Sequence, residues 1–325
     1  MTRTCGARNS LQTAFLLALL FRVSGALAQA PPVGPQPQED FRIAVNVDLV
    51  VLNATVSDRK GHIVSDLGEK DFQVFEDGVR QNIRLFRHDD IPVTVGLVVD
   101  HSGSMRAKIR SVIAAAGTFV RSSNPDDQMF VVNFNEKVTL RPSGRVRFTV
   151  RADELEYAIS SEPVTGRTAL YDAIFQARER LREGSRDKKV LIVISDGGDN
   201  ASNHRLEEVL KLAVQSGAIV YTIGIFEDDD PDKNPNVLRQ IAQATGGEAF
   251  FPREFEEVVP ICERIAHDIR NQYTLGYFSS STAAPGTVHT IRAVAQKPGG
   301  RALAVRTRTS YIASDPAPNR DEARK

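Results

Sequence analysis

Residues 93–105 read VTVGLVVDHSGSM. The first seven are almost unbroken apolar, the pattern of a strand buried on both faces of a sheet. The run stops at Asp100 and passes into His101-Ser102-Gly103-Ser104-Met105. A carboxylate and two hydroxyls, spaced by two, therefore follow directly from a central strand. In open α/β sheets ligands bind at that carboxyl edge, near the point where strand order reverses. An extended loop can turn alternate side chains toward one point, and oxygen ligands of low charge suit a small hard cation such as Mg²⁺.

Working outward, the pattern repeats. Residues 108–120 have helical spacing, 128–134 read as a strand, and 137–140 as its pairing neighbour. Helices are expected over 152–160 and 169–182, and a second doubly buried strand at 189–194. A helix over 206–215, a third buried strand at 218–225, a helix over 237–244, a short strand at 247–251 and a closing helix over 255–269 complete the series. Alternating strands and helices predict an α/β fold around an open, mainly parallel, doubly wound sheet.

Both flanks read differently. Residues 41–57 alternate, with Ile43, Val45, Val47, Leu49 and Val51 as the apolar set; 72–75 and 81–88 are strands joined through Glu76-Asp77-Gly78, which carries an Asp-Gly hairpin signal. After the closing helix, 272–278, 288–296 and 302–309 are again strands. The economical arrangement is one small all-β sandwich built from 41–92 and 269–313, with the α/β domain of 93–268 inserted in it. Two separate β units are the alternative, but each would be short of core.

The ends have other roles. Residues 1–28 carry Arg3 and Arg8, an apolar run LQTAFLLALLF and Ala26-Leu27-Ala28, the plan of a secretory signal peptide. The run is short of the roughly 20 residues a bilayer span needs; an uncleaved anchor is the alternative. Cleavage would remove Arg3, Arg8 and Arg22 and take the balance of 41 basic and 41 acidic residues to a net charge of −3. It would also remove Cys5, leaving Cys262 without an intrachain partner, an inert thiol on an amphipathic helix. The protein is then expected in the periplasm, at the cell surface or in the medium. Residues 29–40 form a Pro-rich linker and 314–325 a solvated tail.

Composition sets limits. Across 325 residues, 41% hydrophobic and 25% charged, there is ample material for a core, so a disordered chain is excluded. A balanced charge argues against a general nucleic-acid binder.

Two further segments complete the candidate site. Thr165-Gly166-Arg167-Thr168 precedes a helix and offers Thr168; Ser195-Asp196-Gly197-Gly198 ends the second central strand and offers Asp196. With Asp100, Ser102 and Ser104 these residues give D-x-S-x-S, then Thr, then Asp after a buried strand. On this pattern, and on GRTALYDAI, VISDGGDN and ATGGEAFF, residues 93–268 resemble the von Willebrand factor A domain with its metal-ion-dependent adhesion site. The segments SDRKGHIVSDLGEKDFQVFEDGVRQNI and NQYTLGYF resemble the flanks of a bacterial family of secreted A-domain proteins.

The resemblance implies that Ser102, Ser104 and Thr168 bind the metal by hydroxyl, and Asp100 and Asp196 directly or through water. Mg²⁺ is the expected ion, with Mn²⁺ or Ca²⁺ possible. Neutral hydroxyls leave such a metal short of negative charge, so an open position would attract an Asp or Glu carboxylate from a protein partner. It also implies that ligand binding is coupled to a shift of the last helix, residues 255–269. Function is thus expected to be metal-dependent protein binding, of the cell-adhesion type. The alternative is a structural subunit of a surface or periplasmic assembly in which the metal is dispensable. A hydrolase is disfavoured: G-x-S-x-G, HExxH and GxxxxGK[ST] are missing, and His101, adjacent to Ser102, is badly placed to be its base.

Other residues read more plainly. His101 is expected to point away from the metal, with a specificity or packing role rather than a catalytic one. Asp199 and Asn200 either support the metal ligands or enter the next helix, the second being the favoured reading, and Asp172 has a hydrogen-bonding role. The acidic residues 227–234 fail as a calcium loop: with Asp230 opening it, Pro235 and Ile241 would occupy the Gly and Glu positions.

Overall fold

The computed structural model describes residues 49–226, 233–297, 300 and 302–313. These belong to one compact unit, Asn46–Lys325. The signal and linker expectations for 1–40, the opening of the first strand at 41–48, the acidic stretch 227–232 and the tail 314–325 lie outside the described residues.

In chain order the elements are β1 (Leu49–Ser57), β2 (Phe72–Glu76), β3 (Val79–Gln81), β4 (Ile83–Arg87), β5 (Val93–Asp100), α1 (Ile109–Arg121), β6 (Gln128–Phe134) and β7 (Val138–Arg141). Then follow α2 (Ala152–Ser160), α3 (Leu170–Arg182), β8 (Lys188–Ser195), α4 (Leu206–Ser216), β9 (Ile219–Gly224), α5 (Pro235–Thr245), β10 (Ala249–Phe250) and α6 (Val258–Arg270). The last strands are β11 (Tyr273–Phe278), β12 (Val288–Gln296), β13 (Ala302–Arg306) and β14 (Ser310–Ile312).

The α/β part has sheet order β10-β9-β8-β5-β6-β7. All neighbours are parallel except β7, which runs antiparallel to β6. β5 and β8 are the middle strands, and the chain reverses direction across the sheet between them. Their side chains alternate between two cores, which explains the unbroken apolar runs. Val95, Leu97 and Val99 of β5 face α1, α2 and α6, while Val98 shares the opposite core with α3, α4 and α5. Burial of each such aliphatic side chain contributes about 1.5–3 kcal/mol. Packing at Gly96 in β5 is close: a Cβ there would lie 2.5 Å from Phe130 Cζ and 2.7 Å from Leu191 Cδ2.

Helix ends follow local chemistry. Asn234 accepts a hydrogen bond from the Val237 amide at the start of α5, with Pro235 in the first turn, and α5 ends at Gly246 with φ +79°. The closing helix is tighter at its start, where Phe255–Glu257 form a 3₁₀ turn before α6 begins.

Strands from both ends of the chain interleave in a second, antiparallel sheet of order β3-β2-β12-β13-β1-β11-β4, with β14 on β12. The sheet is one hydrogen-bonded path that folds over itself. β1 pairs with β11 through Leu49–Ala54 and then with β13 through Thr55–Ser57, passing from one layer to the other. Phe72 of β2 and Phe86 of β4, from distant parts of the path, have ring centroids 5.8 Å apart over a shared core.

Some expectations are corrected here. In β1 the inward set is Val50, Leu52, Ala54 and Val56, whereas Leu49 and Val51 are exposed. The strand is apolar on both faces, so alternation alone did not fix its phase. The expected strand 81–88 is two: the hairpin strand β3 ends at Gln81 and β4 begins at Ile83. The last expected strand stops at Arg306, and β14 is an additional element.

Candidate functional site

Asp100 ends β5, Ser195 ends β8, and Asp196 follows it, so the reversal of strand order places two carboxylates side by side. The loop after β5 is held at its backbone. His101 N donates to Phe134 O (2.6 Å), Thr165 N to His101 O (2.8 Å) and Gly103 N to Gly166 O (3.2 Å). These bonds join the Ser102–Ser104 loop to the loop that carries Thr168.

Side-chain oxygens converge within this frame. Ser102 Oγ lies 3.1 Å from Ser104 Oγ, and Ser104 Oγ donates to Asp196 Oδ2 at 2.5 Å. Asp100 is fully buried and both its oxygens are engaged: Oδ1 accepts from Ser102 N (2.8 Å) and Oδ2 from Ser195 Oγ (2.6 Å). Burial, and then the Asp196 carboxylate beside it, push Asp100 up to about 6. Asp196 Oδ1 accepts from Gly198 N at 3.1 Å. Gly197 takes φ +81°, and a Cβ there would meet Asn234 O at 2.5 Å, so this turn admits only glycine without displacement.

Thr168 is buried, and its backbone is clamped. Its amide donates to Asn200 Oδ1 (2.9 Å), and its carbonyl accepts from the amides of Asn200 and Ala201 (both 3.0 Å). Asn200 thereby positions the Thr168 loop. Asp199 accepts from the Tyr171 amide at the head of α3 (3.0 Å) and from Ser202 Oγ (2.6 Å). Asp172 receives the amides of Asn203 and His204 and lies 2.6 Å from His204 Nδ1.

His101 is buried, with Nδ1 3.1 Å from Val99 O and Nε2 2.9 Å from Ile159 O, which fits the expected packing role. His204 is bound to Asp172 and stacked on Phe175 at 4.2 Å. Among the described residues, these imidazoles bond to backbone carbonyls and to Asp172 rather than to a site serine. Sequence reasoning missed Ser195, which donates to Asp100 and receives the Gly197 amide (3.1 Å), and favoured helix entry for Asn200, which instead holds the Thr168 loop. The signal for Ser195 was its place between the buried run and Asp196.

Ser102, Ser104 and Asp196 are joined side chain to side chain and Asp100 lies under the Ser102 amide, whereas Thr168 is held through its backbone on the neighbouring loop. Hydroxyl and carboxylate donors of this kind suit a hard divalent cation. A cleft of about 310 Å³ lies beside the loop, bordered by Asn135, Glu136, Glu162 and Thr165.

The fold and sequence define a von Willebrand factor type A domain, whose family model matches residues 94–264. The chain belongs to that family. Among solved structures it is similar to a von Willebrand factor type A protein from Catenulispora acidiphila, with TM-score 0.51 and 13% identity over 83% of this chain and 74% of that one. It is also similar to the vWF domain of the type V pili tip protein Mfa5 from Porphyromonas gingivalis (TM-score 0.45, 16% identity, 55% and 97% covered). A third is proximal thread matrix protein 1 from the mussel byssus, in a structure titled as having a zinc-occupied MIDAS motif (TM-score 0.47, 19% identity, 60% and 49% covered). No curated protein sequence matches the chain.

Proposed function

We propose that the protein is an exported, metal-dependent protein-binding module of the adhesion type. Ser102, Ser104 and Thr168 would hold a divalent cation, Mg²⁺ first, through their hydroxyls; Asp196 would hold it directly or through water. Asp100, with both oxygens engaged by Ser102 and Ser195, would act through water and by fixing the loop. The cation would bridge to an Asp or Glu side chain of a partner protein. The observation that carries this reading is the chain of contacts Ser102 Oγ, Ser104 Oγ, Asp196 Oδ2 at the carboxyl edge of the two central strands. No catalytic step is assigned to these groups.

The test is calorimetric titration of Mg²⁺, Mn²⁺ and Ca²⁺ into the mature chain, alone and with an acidic peptide. One ion per chain is expected, lost in Asp100→Ala, with peptide binding that a chelator abolishes. If no ion binds under either condition, the reading fails and a structural subunit with a dispensable site takes its place.

A further inference from the structure

We propose a second metal site in the antiparallel sheet, formed by Glu76, Asp77 and His289 and suited to a borderline divalent ion of the Zn²⁺ type. Suitable ligand atoms of the three residues all lie within 4.8 Å of one another. They come together because β2 pairs with β12 antiparallel, with Glu76 opposite Ile291. The chain then turns through Asp77 (φ +48°) and Gly78 (φ +83°), which sets Asp77 beside His289 and Thr290.

Each ligand is already aimed. Thr290 holds Asp77 Oδ1 through its amide (2.8 Å) and its hydroxyl (2.9 Å), leaving Oδ2 toward His289 Nδ1 at 2.7 Å. The same imidazole nitrogen lies 3.6 Å from Glu76 Oε1. The His289 ring is fixed by stacking on Tyr311, with centroids 5.1 Å apart.

A separate observation favours a cation at this position. Glu76 is only 2% exposed, and while Ser279 Oγ donates to Oε1 at 2.5 Å, Oε2 has no hydrogen-bond partner. The donors beside it, the Tyr277 and Tyr311 hydroxyls, are neutral and leave the carboxylate's charge uncancelled. A buried carboxylate oxygen left unpaired is costly. His289 Nδ1 can offer at most one proton to two carboxylates, so an ion pair alone does not satisfy the group. Two carboxylates and a neutral imidazole carry −2, which a divalent cation cancels. An imidazole ligand selects the first-row transition ions over Mg²⁺ and Ca²⁺. Three protein ligands, with Asp77 46% exposed at the rim, leave a coordination position facing solvent.

The test uses the full chain carrying Asp100→Ala and Asp196→Ala, washed with chelator, so that the first site does not contribute. Zn²⁺ is titrated calorimetrically, and Co²⁺ is followed by its visible d–d absorption. One ion per chain is expected, with affinity reduced at least about tenfold by His289→Gln and by Glu76→Gln. Far-UV circular dichroism checks that each variant folds. Should either buried substitution unfold the protein, Asp77→Asn at the rim supplies the same comparison. No Zn²⁺ or Co²⁺ binding, or binding indifferent to these substitutions, would reduce the trio to a structural ion pair.

Discussion

At the scale of single residues, the side chains that carry the proposed binding depend on neighbours with no ligand role of their own. Ser195 illustrates this. Its hydroxyl is the donor to Asp100 Oδ2, and Asp100 has no exposure to water that could substitute. Ser195→Ala is expected to cost about 1–3 kcal/mol of stability, the penalty of a buried acceptor left unpaired. It should also weaken Mg²⁺ binding by about 10–100-fold, the usual cost of losing an outer partner of a metal ligand. Denaturant unfolding and calorimetry on the same variant would measure both. An unchanged affinity would mean that Asp100 needs no such support. Asp100, Ser102, Ser104, Thr168 and Asp196 were all legible as candidates, because D-x-S-x-S and S-D stand at the ends of apolar runs. Ser195 and Asn200 were not. Their roles depend on which strand lies beside which, and serines and asparagines at strand ends and turns are common for purely local reasons.

At the scale of elements, the central strands were readable because burial on both faces removes polar residues from the sequence. The same property leaves no tolerance for added volume. Gly96→Ala puts a methyl group into Phe130 and Leu191, whose ring and branch are held by the core around them. A loss of about 1–3 kcal/mol is expected, the usual range for overpacking, and a chemical denaturation midpoint would report it. The phase of β1 was not readable, since Leu49 and Val51 are as apolar as the residues that face the core.

β8 opens with a further departure from its pattern. Lys188 is buried, its Nζ donates to Ile269 O, and burial lowers its ammonium to about 8 despite the opposing pull of Asp268, Asp90 and Asp127. A lysine lowered in the folded state binds fewer protons than in the unfolded chain between about pH 8 and its ordinary value near 10.5. Stability from this group therefore rises with pH across that window, and the charged form is penalised in full below it. Relative to wild type, Lys188→Met should be more favourable at pH 7 than at pH 10 by up to about 3 kcal/mol. Paired urea titrations at the two pH values test this, and a difference independent of pH would refute the assignment.

At the scale of the whole unit, the two sheets are joined by a buried polar cluster around Asp268, on the last turn of α6. Asp268 Oδ1 accepts from Thr55 Oγ1 (2.8 Å) in β1. Its Oδ2 accepts from Tyr221 OH (2.7 Å) in β9 and from Arg306 Nη2 (2.5 Å) in β13. Gln272 Nε2 donates to both Tyr221 OH (3.0 Å) and Thr55 Oγ1 (3.2 Å), and Arg306 also reaches Gly246 O (3.0 Å) and Glu248 (3.3 Å). None of this was legible in the sequence, where Thr55 and Asp268 stand 213 residues apart and each reads as an ordinary surface type. One carboxylate thus ties α6 to a strand of the parallel sheet and to two strands of the antiparallel one, so any shift of α6 must break or carry these bonds. Removing it leaves Arg306 without its closest anion and the Thr55 and Tyr221 hydroxyls without their acceptor. Asp268→Ala is accordingly expected to cost about 3–5 kcal/mol, the range for breaking a buried charge pair from one side. The loss should appear as uncoupling as well as weakening. Wild-type protein should melt in a single calorimetric transition, because neither sheet can open without exposing the cluster. The variant should show two, with the antiparallel sheet unfolding first, since its core is the smaller. Asp268→Asn, which keeps the shape and one acceptor oxygen, should fall between them. A single transition in Asp268→Ala, merely shifted to lower temperature, would mean that apolar contacts alone hold the sheets together.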